Sequence, residues 1–479
     1  MSHQLTEIEP SQPRMEAAAV PSTPRLQNAR PQRTASQDFT AVQWMGAFMA
    51  ALGSGLYVQI IGYLSFLEIF LLVTLPGGVN RVIKSASLPG ARMFTVLWLL
   101  WIVGQIISDL ANANDFGFAA RGFAKAFFSG FVTLVLLPSM LRHPRSFEAF
   151  LAGLPLAHLI GSRYFRSGAL IRQDGKGWMA SADLGWDTYW GYLVTLCLAY
   201  LVARFWRSSP WLCVAGTFAI GLLHIVMGSR STGLYHILAA CMMPLVLDVT
   251  RTSARSSLQR ARWSAALPWG RFIAAAGIVI VAAMQVKDFY EYHAPRGDFG
   301  EKARQKYEMQ SKYANLIVGA RQGPFIGIAA ALDKPILGHG SWARMDKDYV
   351  ASASELFGVE MHREKGFNYH SVFIPAHSMI IAAWVEGGVL GLVFWVFAFG
   401  FAARYLARAV LTFPEYAGVL LINTMGFFWS VWFSPIQTRS YTAIIFVPLL
   451  AAVVLHLREK RTRQAQAAIA VRRPLAIAG

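Results

Sequence analysis

Charge is scarce in this sequence, and acid is scarcer than base. Only 15% of residues are Asp, Glu, Lys or Arg, against about 25% in soluble domains, so a solvated surface around the whole chain is excluded. The 26 acidic residues are outnumbered by 32 phenylalanines. Cysteine is rarer still. Cys197, Cys213 and Cys241 fall in apolar segments, without metal-motif spacing or a disulfide framework, and are expected to be buried packing residues. There is no Walker motif and no dinucleotide fingerprint flanked by strand and helix signals, which leaves ATP-driven transport without support. No solenoid-period repeat is found, and no inverted repeat beyond general hydropathy.

What the chain has instead is apolar sequence and base. Hydrophobic residues make up 55% of it, and 44 Lys and Arg give a net charge of +18. The basic residues punctuate apolar runs and form no patch, so a nucleic-acid partner is not expected. The pattern is that of a multi-spanning membrane protein obeying the positive-inside rule.

Residues 1–40, rich in Pro, Ser, Gln and Arg, cannot bury a core and are expected to form a disordered cytoplasmic N-terminus. They lack the short apolar core and cleavage site of a secretory signal. Apolar stretches of membrane-spanning length follow near 43–58, 60–76, 93–110, 122–140, 147–162, 187–205, 210–227, 232–249 and 271–287, then 378–402, 415–433 and 440–456. The expectation is an all-α polytopic membrane protein of about twelve transmembrane helices. Helices 1–9 would fill 41–287, a large external loop 288–377, helices 10–12 the segment 378–457, and a basic tail 458–479. The break between the first two spans is weak, because Leu56 to Phe66 offers little to interrupt a helix.

Loop charges orient this scheme. Arg81 and Lys84, Arg142 and Arg145, Arg204 and Arg207, Arg251 to Arg262, Arg404 and Arg408, and the tail from Arg458 to Arg463 all fall on one side, which places both termini inside. Two external loops depart from the pattern. One, Arg163 to Asp187, carries Arg163, Arg166, Arg172 and Lys176. The other is the long loop, which translocates regardless of its charge. Within it, Glu301 to Arg321 has helical periodicity with Tyr307, Tyr313, Leu316 and Ile317 on one stripe, and a short apolar helix is expected over Phe325 to Leu332.

Three constellations could carry chemistry. In Gly228-Ser229-Arg230-Ser231-Thr232-Gly233, a short external turn, Arg230 either snorkels to headgroups or meets an anion beside a helix N-terminus. Arg321 precedes Pro335-Ile336-Leu337-Gly338-His339-Gly340, and alone it would be an ordinary helix C-terminal cation. The third is Pro375-Ala376-His377-Ser378 followed by Trp384, Glu386, Gly387, Gly388 and Gly391. At a helix start the dipole disfavours the imidazolium, so a neutral His377 is a candidate general base; a lone histidine is more often structural. Glu386 lies in an apolar stretch and needs a partner, for which a loop arginine is the candidate. In one straight helix it would sit about 180° from His377, so contact between them is not expected. His362, His370 and His377 are too loosely spaced for a metal. Asp346-Lys347-Asp348 spells a metal-binding Asp-x-Asp but is expected to be a solvated turn, and Glu68 alone would make a poor proton relay.

In this order and on a common external face, these motifs resemble the O-antigen polymerase and ligase family of bacterial envelope glycosyltransferases, over roughly Gly221 to Leu392. Two features depart from that family: His-Ser stands at 377–378 where His-Asn is familiar, and the N-terminus is longer. The resemblance implies a bacterial inner-membrane enzyme with its site facing the periplasm, metal-independent, inverting and without a cofactor. Its donor would be a polyprenyl-diphosphate-linked glycan, and its acceptor a second glycan for a polymerase or a lipid A core for a ligase. Membrane lipids would surround it, and the scheme admits a chain-length regulator protein as a further partner. His377 would take the acceptor proton, and Arg230 and Arg321 would hold the diphosphate. Arg163, Arg166, Arg172, Ser378, Glu386, Gly338 and Gly340 would contact substrate. A lipid-linked oligosaccharide transporter is the reading from a different class; it predicts pseudo-repeated halves and charged cavities in mid-membrane, whereas the ionisable residues here crowd the external face.

Overall fold

The computed structural model describes residues 41–59, 63–86, 89–142, 144–161, 190–253, 287–311, 322–357, 373–412 and 416–433, with isolated positions between 277 and 285. Arg163, Arg166, Arg172, Lys176, Arg321, the span expected at 440–456, and both terminal segments lie outside the described residues. The fold is all-α. Helices α1 (Ala41–Gly53), α2 (Phe66–Ala86), α3 (Pro89–Ala111), α4 (Phe116–Arg142), α5 (Pro144–Ile160), α6 (Gly191–Phe205), α7 (Pro210–Val226) and α8 (Arg230–Ser253) precede the loop region. Within that region lie α9 (Glu301–Ser311), α10 (Gln322–Asp333) and α11 (Lys347–Phe357), followed by α12 (Met379–Thr412) and α13 (Ala417–Phe433).

The weak break between the first two spans is a small antiparallel hairpin, β1 (Tyr57–Gln59) with β2 (Tyr63–Ser65). Its exit into α2 is a capping box. The Ser65 N–H donates to Glu68 Oε2 at 2.7 Å and the Glu68 N–H to Ser65 Oγ at 3.2 Å. These bonds satisfy two of the backbone donors that a helix start leaves over. Glu68 is thus a helix cap.

Two apolar cores share α13. One joins α5, α6, α7 and α8, the other α2, α3, α4 and α12. From Ala417 to Val431, α13 is almost wholly buried, polar Asn423 and Thr424 included. Glycines set the closest approaches. A Cβ on Gly130 would lie 2.4 Å from the Trp98 indole, whose Nε1–H donates to the Ala126 carbonyl at 2.8 Å. Gly221 and Gly233 do the same for α7 against α8, as small residues do wherever helix backbones meet.

Among the described residues, Arg92–Ala111 and Met379–Ala403 are long and apolar enough to cross a membrane, and six further apolar helices are shorter. The outward face of α3 is itself apolar: Met93, Val96, Leu99, Val103, Ile106 and Ile107 are all exposed. Several helices outrun the expected spans. α2 continues through Arg81 and Lys84 to Ala86, and α12 through Arg404 and Arg408 to Thr412, because a helix need not end where hydrophobicity does. Of the cysteines, Cys213 is buried as expected while Cys197 and Cys241 are half-buried, and all three are free thiols.

Candidate functional site

The site is organised by a break in α12. Gly388 adopts φ 64° within an otherwise helical run, a conformation open to glycine without a Cβ penalty. The break frees the carbonyls of Val385 and Glu386, and the 335–340 segment docks onto them. The His339 N–H donates to Val385 O at 2.6 Å, the Gly340 N–H to Glu386 O at 3.1 Å, and the Val389 N–H to Ile336 O at 3.1 Å. Gly338 and Gly340 both have positive φ. A Cβ at 338 would stand 2.6 Å from the Gly388 nitrogen, and one at 340 would stand 2.1 Å from the Asn114 side chain. These glycines, expected to touch substrate, serve the joint between loop and helix.

A second set of bonds ties the loop to the end of α3. Asp109, 6% exposed, accepts from the Ser341 N–H at 2.5 Å, from Ser341 Oγ at 2.7 Å and from Asn114 Nδ2 at 2.8 Å. Gln105 donates to Ser341 Oγ at 2.9 Å, and Asn112 donates to Gly338 O at 3.1 Å. A buried carboxylate with three donors is well satisfied. Gly122 on α4 lets the same loop in, since a Cβ there would overlap Ser341.

Beside this joint lies a recess of about 50 Å3, walled by Lys125, Trp342, Phe373, His377, Val385 and Glu386 among others. His377 precedes α12 instead of starting it. Its N–H donates to Pro375 O at 2.8 Å, and the helix begins at Met379. That extended lead-in is why His377 and Glu386 wall one recess, contrary to the straight-helix expectation. The imidazole of His377 is exposed and lies against the start of α10, where a Cβ on Gly323 would be 2.5 Å from its ring.

Glu386 has a partner, but not a loop arginine: it pairs with Lys125 of α4, both side chains being largely buried. The apolar position of each makes the other necessary. Lys125 also stands 5.5 Å from the centroid of the Trp342 ring, within cation–π range. Ser378 does not face the recess chemistry as expected. Fully buried, its Oγ accepts from the Ile381 N–H at 3.3 Å and donates to Val431 O at 2.9 Å, capping α12 and fastening it to α13.

Arg230 opens α8, with the Gly233 N–H closing the first turn on Ser229 O at 2.9 Å. Its guanidinium lies 4.2 Å from the centroid of Tyr290, which is buried with Phe299 and Tyr307 against it. Burial holds the Tyr290 hydroxyl above its ordinary pKa, with Arg230 pulling the other way. Among the described residues the recess wall does not include Arg230; it meets the first residues of the long loop. Tyr307, one of the expected stripe, is the part of α9 that packs there.

In the loop region, α10 covers the expected short apolar helix. Asp346, expected in a solvated turn, is a helix cap, its Oδ1 accepting from the Asp348 N–H at 3.0 Å at the start of α11. His339 is bound through Nε2 to Ala330 O at 2.7 Å. Burial, with Lys334 adding to it, lowers its pKa below the ordinary value, against the pull of that hydrogen bond and of Asp333.

Sequence reasoning missed Lys125, Trp342, Gln105 and Asp109. The signal was there for three of them: Gln105 and Asp109 sit one turn apart in an apolar run, and Lys125 interrupts another. Trp342 carried none. The chain matches no protein-family model, and no curated protein matches it.

Proposed function

We propose that this chain is a multi-spanning membrane glycosyltransferase that polymerises polyprenyl-diphosphate-linked oligosaccharide units at the outer face of a bacterial inner membrane. The observation that carries the reading is the convergence of two separated motif segments. Residues 335–340 close the α12 break, and His377, Glu386, Lys125 and Trp342 meet at one recess. Membrane embedding is supported by helices that are apolar inside and out, since exposed apolar faces of this extent suit lipid. On this reading the chain has about twelve spans with both termini inside, the side on which the basic loop residues fall.

On this reading His377 takes the acceptor hydroxyl proton as the oxygen bonds to the anomeric carbon. The bond from that carbon to phosphate breaks, and its electron pair leaves with the diphosphate. Arg230 and Arg321 stabilise the departing charge, a task for which arginine's paired N–H groups are suited. Inversion follows from a single displacement.

The test is purified protein in nanodiscs with lipid-linked donor extracted from the host. Release of polyprenyl diphosphate with elongated glycan is expected, abolished by Arg230→Ala or Arg321→Ala and unchanged by chelation. Full activity in either variant removes that arginine from the diphosphate role. Loss on chelation restored by Mg²⁺ overturns the metal-independent mechanism. Glycan moved only to a lipid A core makes the chain a ligase.

A further inference from the structure

The chain between the end of α10 and the α12 break is exposed residue after residue, from Leu332 to Leu337. Its apolar members are well open: Ile336 is 71% exposed, Leu332 49% and Leu337 48%. The segment is nonetheless firmly held. The Val389 N–H donates to Ile336 O at 3.1 Å, the Trp384 indole N–H to Pro335 O at 2.9 Å, and the Lys334 ammonium to Asn112 Oδ1 at 2.7 Å. A fixed segment that turns Leu, Ile and Leu outward is unfavourable in water and favourable in an apolar surrounding.

The neighbours of the segment identify that surrounding. From Met379 to Gly388 every residue of α12 is buried or half-buried. The first exposed one is Val389, directly after the break, and Val393 and Val396 follow it on the same face. On α3 the exposed apolar row runs up to Leu110, two residues before Asn112, which holds both Lys334 and Gly338 O. Both rows lie on the helices that are long and apolar enough to cross a bilayer. The 332–337 segment is fastened where these two rows end, and Ile336, bonded to Val389, continues them. The charges agree with that position. Asp333 and Lys334 are exposed beside the apolar residues, and a lysine stem carries its ammonium up to headgroup level from apolar side chains lying below it. Trp384, an amphipathic ring tied to the same segment, is the residue type that collects at such a boundary.

We infer that Leu332, Ile336 and Leu337 are inserted among the phospholipid acyl chains of the leaflet nearest the site, and that the α12 break marks the level of the headgroups. The inference rests on the membrane-spanning part of the reading above and adds to it the depth of the site. The recess, walled by Trp342 on the loop side of the joint and Glu386 on the helix side, lies at the bilayer surface, within reach of a substrate whose lipid tail stays in the membrane.

The test is nitroxide labelling of single cysteines in the full chain, in nanodiscs of phosphatidylethanolamine and phosphatidylglycerol, with Cys197, Cys213 and Cys241 replaced by alanine. Labels at Ile336→Cys and Leu337→Cys are read against two references: Val393→Cys on the lipid-facing row and Glu355→Cys, exposed on α11. Collision rates with oxygen, which concentrates among acyl chains, and with a water-soluble nickel chelate give the depth. Both labels are expected about 5–10 Å below the headgroup boundary, with an oxygen-to-nickel ratio close to that at 393 and well above that at 355. Labels as open to nickel as the one at 355 overturn the insertion. Shielding from both reagents overturns it too, since protein then covers the patch. A label at 393 that is itself in water removes the membrane-spanning reading along with the inference. Should the cysteine-free chain fail to fold, Ile336→p-benzoylphenylalanine in the otherwise native chain decides the matter. Irradiation is expected to give phospholipid adducts, and cross-links to protein alone overturn the proposal.

Discussion

Lys125 and Glu386 illustrate what a single residue demands of its surroundings. Each is charged in an apolar stretch, and each is largely buried. Removing either one leaves an uncompensated buried charge, which costs about 3–5 kcal/mol, whereas replacing both with apolar side chains of similar size costs far less. Thermal unfolding in nanodiscs should therefore place Lys125→Met and Glu386→Leu well below wild type, with the double variant recovering most of the loss. A double variant as unstable as the two losses summed would show that the pair is not coupled. The need for a partner was legible at Glu386 from its apolar context. The partner's identity was not, because it lies 261 positions away, and nothing local links α4 to α12. For Ser378 the reverse held. Its neighbour His377 drew it into the chemistry, while its position directly before the apolar helix, three residues after Pro375, marked it as a cap.

At the scale of elements, the joint between α12 and the 335–340 segment is the feature on which the site depends. A Cβ at Gly388 would come within 1.9 Å of Ile336 O at a φ that alanine resists. Gly388→Ala should cost about 1–3 kcal/mol from backbone strain alone and should loosen the loop. The check is protease sensitivity of the 335–345 region in membranes, and wild-type protection there would contradict the joint. Both glycine clusters were visible in sequence, but their meaning was not, because a broken helix and a straight one share the same hydropathy. The hairpin at 57–65 was missed for a similar reason: its β-branched and aromatic residues are as apolar as a span, and the Ser65-x-x-Glu68 capping box was the one local sign of it.

The same element scale carries a pH dependence. The His339 imidazole is buried between α10 and α11, and its pKa lies below the ordinary value, about 6.5. Above that value the imidazole is neutral in both folded and unfolded chains, and its contribution to stability is complete. As pH falls below it, the unfolded chain takes up a proton that the folded one refuses, and stability is lost down to the folded pKa. Amide exchange across α10 should accordingly accelerate on acidification from about pH 6.5, and His339→Asn should flatten the profile. An exchange rate independent of pH, once corrected for intrinsic chemistry, would remove His339 from this role.

For the molecule as a whole, the sequence conveyed an all-helical chain because apolar runs and their basic punctuation are long-range, redundant signals. It conveyed less of how α13 becomes the shared centre of two cores, since a buried helix and a lipid-facing one have similar composition. The functional claim belongs at this scale too, because it concerns what the protein makes. The most direct measurement is the envelope glycan profile of a deletion strain complemented with wild type or with His377→Ala. The account predicts single repeat units in the deletion strain, long chains restored by wild type, and single units again with the variant at equal membrane abundance. Long chains in the deletion strain, or repeat units stranded on the cytoplasmic side, would contradict it.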